Sequence, residues 1–183
     1  MPLLNFGQPL DGGVIQMAFI VPNLRDALAD WTLRLGIGPW FLFSPFKPLT
    51  QTYRGKPTEL SISIGMAYSG HMQYELIEQH NDVPSVYRET RDRRGYGFHH
   101  WGVSAPEFDK SLKAQQAAGY ELAFYAEPDR GIRVGYMDTT KDLPGFIELI
   151  ETGPAVEGLF TMMYQAALGW DGKDPVREMA PPA

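Results

Sequence analysis

The chain has 183 residues, which is the size of one domain or of two fused half-domains of about 90 residues each. A hydrophobic share of 44% can build a core, and an aromatic share of 13% argues against a disordered chain. The formal net charge of −6, without a long Lys/Arg-rich run, argues against nucleic acid and anionic membranes as main partners.

Cysteine is absent, so the chain has no disulfides, and a bound metal would need oxygen and nitrogen ligands. A chain without cysteine fits a cytoplasmic protein, and residues 1–13 carry no pattern of a secretion signal. No apolar stretch is long enough to span a membrane. We therefore expect a cytoplasmic protein whose partner is a small molecule.

The first half of the chain is predicted to form a strand, a helix and three more strands. An apolar run at 14–21 predicts a strand that contains Gln16, and Pro22 ends it. Asn23 can cap a helix with a one-sided apolar stripe of Leu24, Leu28, Trp31 and Leu35. The later strands are predicted at 40–46, 60–65 and 72–78, with a polar loop at 51–58.

The second half repeats this order after a linker at 80–97 that contains a charged cluster. Strands are predicted at 98–105, 120–126, 132–138 and 146–151, and a helix begins at Pro106. A last helix is predicted at about 156–168. The polar tail at 171–183 is expected to be frayed.

The tetrapeptide Glu-Leu-Ile-Glu occurs twice, at 75–78 and at 148–151, and ends both halves. An internal repeat indicates a duplicated structural unit. We therefore predict one α+β domain over residues 1–183, made of two β-α-β-β-β modules at about 14–79 and 98–152 with a C-terminal helix. Each module brings one Gln or His and one Glu to matching places, which gives the candidate metal ligands Gln16, Glu75, His100 and Glu148.

The chemistry of these four positions favours a metal over a purely structural role. Alternate residues of a strand share a face, so each candidate ligand lies among apolar neighbours. Two buried carboxylates need a cation or a proton, whereas the second glutamates, Glu78 and Glu151, fill the solvated face. The alternatives are that a single Glu lies exposed at a strand edge and that His100 or Gln16 is a hydrogen-bonded core residue.

These modules resemble the vicinal oxygen chelate superfamily, which includes glyoxalase I, methylmalonyl-CoA epimerase, extradiol dioxygenases and bleomycin-resistance proteins. The resemblance covers about residues 14–151 and implies a cup-shaped mixed sheet with one divalent ion, Zn, Ni, Co, Mn or Mg, at the four candidate ligands. The ligand order Gln, Glu, His, Glu is similar to that of animal-type glyoxalase I. The segment Phe98-His99-His100-Trp101 is more similar to the epimerases, in which the second His is the ligand, so His99 is expected on the opposite face.

Departures from these relatives limit the chemistry that the resemblance implies. Ile20 stands where glyoxalase I has the Arg that holds a glutathione carboxylate. Gln16 in place of a His argues against extradiol dioxygenase chemistry. Glu59 lies near the place of the second acid/base glutamate of the epimerases, but with a one-residue offset that would change its face of the strand.

The resulting prediction is a metal-dependent isomerase, epimerase or lyase, acting as a homodimer on a fairly apolar carbonyl compound. A metal would polarise the substrate oxygens, Glu148 would remove the proton, and Glu59 is a second acid/base candidate. Arg54 and Arg133, besides Arg130, could anchor an acidic group of the substrate. The expected pocket walls are Trp40, Phe41, Phe43, Tyr53, Tyr125, Tyr136 and Phe146, although aromatic residues of this kind also form cores. The alternative function is non-catalytic binding of an apolar small molecule in the same cup.

Overall fold

The computed structural model describes residues 12–46, 50–127 and 132–179. The first half contains β1 (Val14–Ile20), α1 (Leu24–Leu35), β2 (Trp40–Phe46), β3 (Thr50–Tyr53), β4 (Lys56–Pro57), β5 (Ile62–Ser69) and β6 (Met72–Gln79). The second half contains α2 (Val86–Arg94), β7 (Gly97–Ser104), α3 (Phe108–Ala117), β8 (Glu121–Glu127), β9 (Val134–Asp138) and β10 (Phe146–Ile150). Two elements follow, α4 (Pro154–Ala167) and β11 (Val176–Met179).

The described strands form one mixed sheet in the order β11-β2-β5-β6-β1-β7-β10-β9-β8-β3-β4. The first module contributes β2-β5-β6-β1 and the second contributes the reverse order, β7-β10-β9-β8. The two modules meet where β1 pairs antiparallel with β7, whereas β1/β6 and β7/β10 are parallel pairs. Gln16 lies opposite Gly102 and Ala18 lies opposite His100, so a pseudo-twofold axis relates Gln16 to His100. The prediction of two β-α-β-β-β modules in a mixed sheet is confirmed.

The sheet curls because its two ends are tied together by the chain. At one end β2 pairs with β11, and at the other end β3 pairs with β8. Only three residues separate β2 from β3, so the last residue of β2 lies within about 15 Å of the first residue of β3. The opposite ends of the sheet must therefore approach, and the sheet closes into a cup.

Helices cover the two faces of the sheet differently. α1 begins at the N-cap Asn23 and buries Leu24 and Leu28 against Trp40 and Leu42, while α3 packs over the second module. We call this side the outer face. α4 packs on the other side, the inner face, where one apolar cluster is shared by both modules. No helix of the described ranges is long and apolar enough to cross a membrane.

The two Glu-Leu-Ile-Glu segments show why the tetrapeptide recurs. In each segment the first Glu points to the inner face and the next residue, Leu76 or Leu149, lies in an outer apolar cluster. The last Glu lies on the outer face, where Glu78 accepts a hydrogen bond from the backbone N–H of Leu24 at the start of α1. Glu151 binds Arg133 in the corresponding place. The tetrapeptide thus joins the inner site to the outer layer in both modules.

Three expectations about connecting segments are wrong. The expected polar loop at 51–58 is largely the β3/β4 hairpin, which continues the sheet beyond β8. The linker at 80–97 contains α2, capped by the Ser85 hydroxyl, which accepts a hydrogen bond from the N–H of Arg88. The tail is ordered at Val176–Met179, where β11 supplies hydrogen-bond partners to the edge strand β2.

Candidate functional site

Three of the four predicted ligands converge at the junction of the modules. Glu75 on β6, His100 on β7 and Glu148 on β10 are buried, and their potential ligand atoms lie within 4.8 Å of one another. Nε2 of His100 is 3.6 Å from Glu75 and 3.1 Å from Glu148. Burial, and next the negative charge of Glu148, raise the pKa of Glu75 well above its usual range. The cluster therefore favours a bound positive charge.

Gln16 lies in the same pocket, with its amide held by a neighbour from β6. The amide nitrogen of Gln16 donates to Oε1 of Gln73 at 2.7 Å, which leaves Oε1 of Gln16 as the free end. Among the described residues, four buried side-chain N or O atoms make no hydrogen bond, and two of them are Oε1 of Gln16 and Nε2 of His100. A buried polar atom without a partner is costly unless a ligand supplies one. Two carboxylates, one imidazole and one amide oxygen fit a divalent ion.

Both histidines of β7 face inward, so the expectation that His99 points to the opposite face is wrong. Along the β1/β7 pair, Ala18 lies opposite His100 but Phe19 lies opposite Phe98, which makes His99 the extra residue of a β-bulge. Nδ1 of His99 lies 2.8 Å from Nδ1 of His100. The flanking Phe98 and Trp101 pack on each other, with ring centroids 4.5 Å apart. Burial, and next the charge of His100, lower the pKa of His99 well below its usual value.

A cavity of about 190 Å³ opens from this cluster between the two modules and α4. The first module lines it with Phe43, Leu60, Ile62, Ile64 and Met66. The second module lines it with Phe124, Ala126, Ile132, Val134 and Ile150. Val156, Leu159 and Phe160 of α4 cover it. In the described parts of the chain, neither Lys nor Arg lines this cavity, so its wall is apolar and its polar end is the carboxylate cluster.

Two tyrosine hydroxyls add the remaining polar groups of the cavity. Tyr87 of α2 and Tyr136 of β9 are hydrogen-bonded to each other at 2.9 Å. Burial, and next the charge of Glu148, raise the pKa of both phenols well above the usual value, so both hydroxyls stay protonated at neutral pH. Tyr136 lies opposite Glu148 across the β9/β10 pair, and both side chains line the cavity.

Comparison with known proteins identifies the family of this fold. The model of the glyoxalase/bleomycin resistance protein/dioxygenase superfamily matches residues 15–136, more than half of the chain. The chain belongs to this superfamily. No curated protein matches the chain.

Solved structures of low sequence identity share the superfamily fold. Methylmalonyl-CoA epimerase from Mycobacterium tuberculosis is 16% identical, with a TM-score of 0.55, over 83% of this chain and 95% of the epimerase. A hypothetical protein from Bacillus halodurans C-125 is also 16% identical, with a TM-score of 0.54, over 76% of this chain and 94% of that protein. Identities of this size show the fold alone.

The cup of this superfamily member uses only some of the predicted aromatic walls. Phe43 and Tyr136 line the cavity. Trp40 lies in the outer cluster, where its indole N–H donates to Thr32, and Tyr125 packs on Phe108 at the outer face. Trp40 cannot share a face with Phe41 and Phe43, because neighbouring strand residues point to opposite faces.

The other three predicted aromatic walls lie beside the cavity rather than at its surface. Phe41 belongs to the inner cluster, where Arg177 lies over its ring at 5.7 Å. Phe146 stacks on His99 at 5.2 Å between centroids. Tyr53 donates its hydroxyl hydrogen bond to Glu89 at 2.8 Å. These side chains support the pocket without lining it.

The predicted charged residues do not reach the cavity. Arg54 pairs with Glu89, Glu121 and Asp138 at 2.7–2.8 Å. Arg133 pairs with Glu151 at 2.7 Å and with Asp109 at 2.9 Å. Both guanidinium groups are thus engaged by carboxylates, and neither residue lines the cavity. Arg130 lies outside the described residues.

Glu59 is exposed ahead of β5 and does not line the cavity, and its acid/base role stays a prediction. In contrast, three features of the site were not predicted: the inward position of His99, the hydroxyl of Tyr87 and the cover formed by α4. An apolar Val86-Tyr87 pair directly after a possible N-cap, Ser85, was the sequence signal for a buried helix start at Tyr87. The identity of the metal, the homodimer and the cytoplasmic location stay predictions.

Proposed function

We propose that the protein is a metal-dependent isomerase, epimerase or lyase that removes a proton next to a carbonyl group. The observation that supports this most is the buried cluster of Glu75, His100 and Glu148 at the polar end of an otherwise apolar cavity. Such a site combines a place for a Lewis acid with carboxylates that can accept a proton.

The ligand set consists of Oε1 of Gln16, a carboxylate oxygen of Glu75, Nε2 of His100 and a carboxylate oxygen of Glu148. A divalent ion bound there supplies Lewis-acid polarisation of the substrate oxygens. Oε1 of Gln16 and Nε2 of His100 support this assignment because both are buried without a hydrogen bond.

Glu148 is the base in this proposal. Its carboxylate lines the cavity, whereas its strand neighbour Leu149 packs on the outer face. The Tyr87–Tyr136 hydroxyl pair lies in the same cavity and can donate a hydrogen bond to a substrate oxygen. The apolar walls lower the local polarity around the carboxylates, which strengthens the electrostatic interactions at the polar end.

The substrate is an uncharged and largely apolar carbonyl compound. A buried anionic group would need a cation or several N–H donors, and no described Lys or Arg lines the cavity. Ile20, at the place of the glutathione-binding Arg of glyoxalase I, is buried in the inner apolar cluster. An apolar wall with a few polar groups at one end is typical of sites that bind by removing apolar surface from water.

Solvent deuterium exchange tests this function without knowledge of the native substrate. The protein is stripped with a chelator, reloaded with one divalent metal at a time, and incubated in D₂O with a panel of neutral aromatic and aliphatic ketones and aldehydes. We expect deuterium next to the carbonyl with the metal-loaded protein and not with the stripped protein. A protein that binds metal and ligand but never exchanges a proton with the panel would contradict the proposed chemistry.

The repeat supplies a matched control for the base. Glu148→Gln should strongly lower exchange, because an amide cannot accept the proton, whereas Glu151→Gln changes the outward Glu of the same tetrapeptide and should leave exchange intact. Equal loss in both variants would assign the effect to stability rather than to a base.

Non-catalytic binding of an apolar small molecule is the second candidate. The observation that favours it is the extent of the apolar wall, which α4 completes. The same experiment distinguishes the two functions, because a binder would take up apolar ligands in a thermal-shift assay with unchanged affinity after removal of the metal.

A further inference from the structure

We propose that His99 is a positioning residue that holds the imidazole of His100 in the tautomer required for metal binding. The inference rests on the metal centre of the proposed function and extends it to a residue that would not itself touch the ion. Three groups form a hydrogen-bonded chain that leads to the centre: the carbonyl of Val86, the ring of His99 and the ring of His100.

The donor and acceptor roles along these hydrogen bonds follow from the carbonyl of Val86. The carbonyl oxygen of Val86 can only accept, so Nε2 of His99, at 3.1 Å, carries the hydrogen. In a neutral ring Nδ1 of His99 is then an acceptor, and it accepts from Nδ1–H of His100 at 2.8 Å. Nε2 of His100 is left without a hydrogen, with its lone pair facing Glu75 and Glu148. This is the form of imidazole that binds a metal.

The fold holds the ring of His99 in place from several sides. The β-bulge turns it to the inner face, where it is fully buried. It stacks on Phe146, with an angle of 25° between the planes, and Tyr87 lies 4.8 Å from it between ring centroids. Val86 is the first residue of α2, so this helix fixes the position of the carbonyl that accepts the hydrogen bond from His99. Without the bulge, His99 would point away from His100.

A purely structural role for His99 makes a different prediction. If the ring only fills space, its replacement lowers stability but leaves the intrinsic metal affinity of the folded protein unchanged. His99→Phe keeps a flat ring for the stacking on Phe146 and removes both hydrogen bonds. His99→Gln supplies a carbonyl acceptor and an N–H donor on one side chain, so it can restore both. Thr90→Val is the matched control, because the Thr90 hydroxyl donates to the same carbonyl of Val86 at 2.9 Å without joining the chain.

The experiment measures the affinity of the full-length protein for Zn²⁺ or Ni²⁺ by chelator competition, with folding of each variant checked by circular dichroism. We expect His99→Phe to weaken metal binding about 10–100-fold, as removal of a hydrogen-bond partner of a ligating His commonly does. His99→Gln should recover most of the affinity, and Thr90→Val should keep it. Nitrogen NMR of the metal-free wild type should find the proton of His100 on Nδ1, a measurement that does not depend on the folding of any variant.

The outcomes separate this inference from the proposed function. Unchanged metal affinity in folded His99→Phe, or a proton on Nε2 of His100 in the metal-free wild type, would overturn the role of His99 alone. A wild-type protein that binds none of the divalent ions would overturn the metal centre itself and this inference with it.

Discussion

Substitution of Gly102 by Ala should damage the metal centre more than the fold. Gly102 lies on β7 directly opposite Gln16 on β1. A Cβ at this position would lie 2.8 Å from Cβ and from Oε1 of Gln16, and 2.8 Å from Cδ1 of Ile150. Carbon atoms normally approach to about 3.5–4.0 Å, so the backbone at Gln16 must shift away from β7 and the side chain of Ile150 must move. One of the crowded atoms, Oε1 of Gln16, is the predicted metal ligand.

The free energy of unfolding should change only modestly in Gly102→Ala. Overpacking a well-packed site costs about 1–3 kcal/mol, whereas replacing a strand glycine gains about 0.5–1 kcal/mol from lost freedom of the unfolded chain. The net loss is therefore about 0–2.5 kcal/mol. Metal affinity should fall at least about tenfold, since the amide of Gln16 is displaced from the centre.

Gly65→Ala is the matched control for this substitution. Its Cβ would lie 2.7 Å from Cδ2 of Leu28, so it crowds a strand glycine against α1 at the outer face, far from the ligands. Urea denaturation of the metal-free proteins gives the stability change, and chelator competition gives the metal affinity. Gly102→Ala with wild-type metal affinity, beside a Gly65→Ala of comparable stability loss, would refute Gln16 as a ligand.

The remaining predictions concern the base Glu148, the substrate and the Arg133–Glu151 ion pair. Glu148→Gln should lower metal-dependent proton exchange about 10²–10⁴-fold while circular dichroism stays that of the wild type. With Ile20 in place of the glutathione-binding Arg, the protein should show negligible turnover of the methylglyoxal–glutathione adduct; efficient turnover in a direct assay would refute the argument from Ile20. Hydrogen bonds from Arg133 lower the pKa of Glu151 below its usual 4.5. The Arg133–Glu151 pair therefore stabilises the fold above pH 4.5, and this stabilisation is lost as the pH falls through the pKa of Glu151 in the folded state. Urea denaturation between pH 7 and 3 should thus show a weaker acid destabilisation in Glu151→Gln, with a loss at pH 7 below about 1 kcal/mol because the pair is partly exposed.

The sequence predicts the ligand cluster well because duplication and strand periodicity act together. Glu75 and Glu148 stand at equal places of a repeated tetrapeptide, and alternation along a strand assigns both to one face. The pseudo-twofold axis between β1 and β7 then brings the matching positions together, as the register of Ala18 with His100 and of Gln16 with Gly102 shows.

The sequence does not predict the surroundings of the cluster, since those depend on contacts between distant segments. The inward turn of His99 results from a one-residue mismatch with β1 that is not visible in either strand alone. The pairing of Arg54 with Glu89 and Asp138 joins three separate elements. Strand alternation alone excludes Trp40 from the face that Phe43 presents to the cavity, because the two residues are three positions apart.

The position of the candidate centre across the β1/β7 junction makes it sensitive to any separation of the two modules. Gln16 and Glu75 come from one module and His100 and Glu148 from the other, so Gln16 and Glu148, the outermost pair of ligands, are separated by about 130 residues of sequence. An ion held by all four ligands therefore acts as a cross-link between the two modules. Its binding adds about 2.7 kcal/mol to the free energy of unfolding when the concentration of the free ion is one hundred times its dissociation constant. In a urea titration of the loaded protein, release of the ion to a chromogenic chelator should precede the loss of helical signal. The metal would then report the first loosening of the cup, before any strand has come apart.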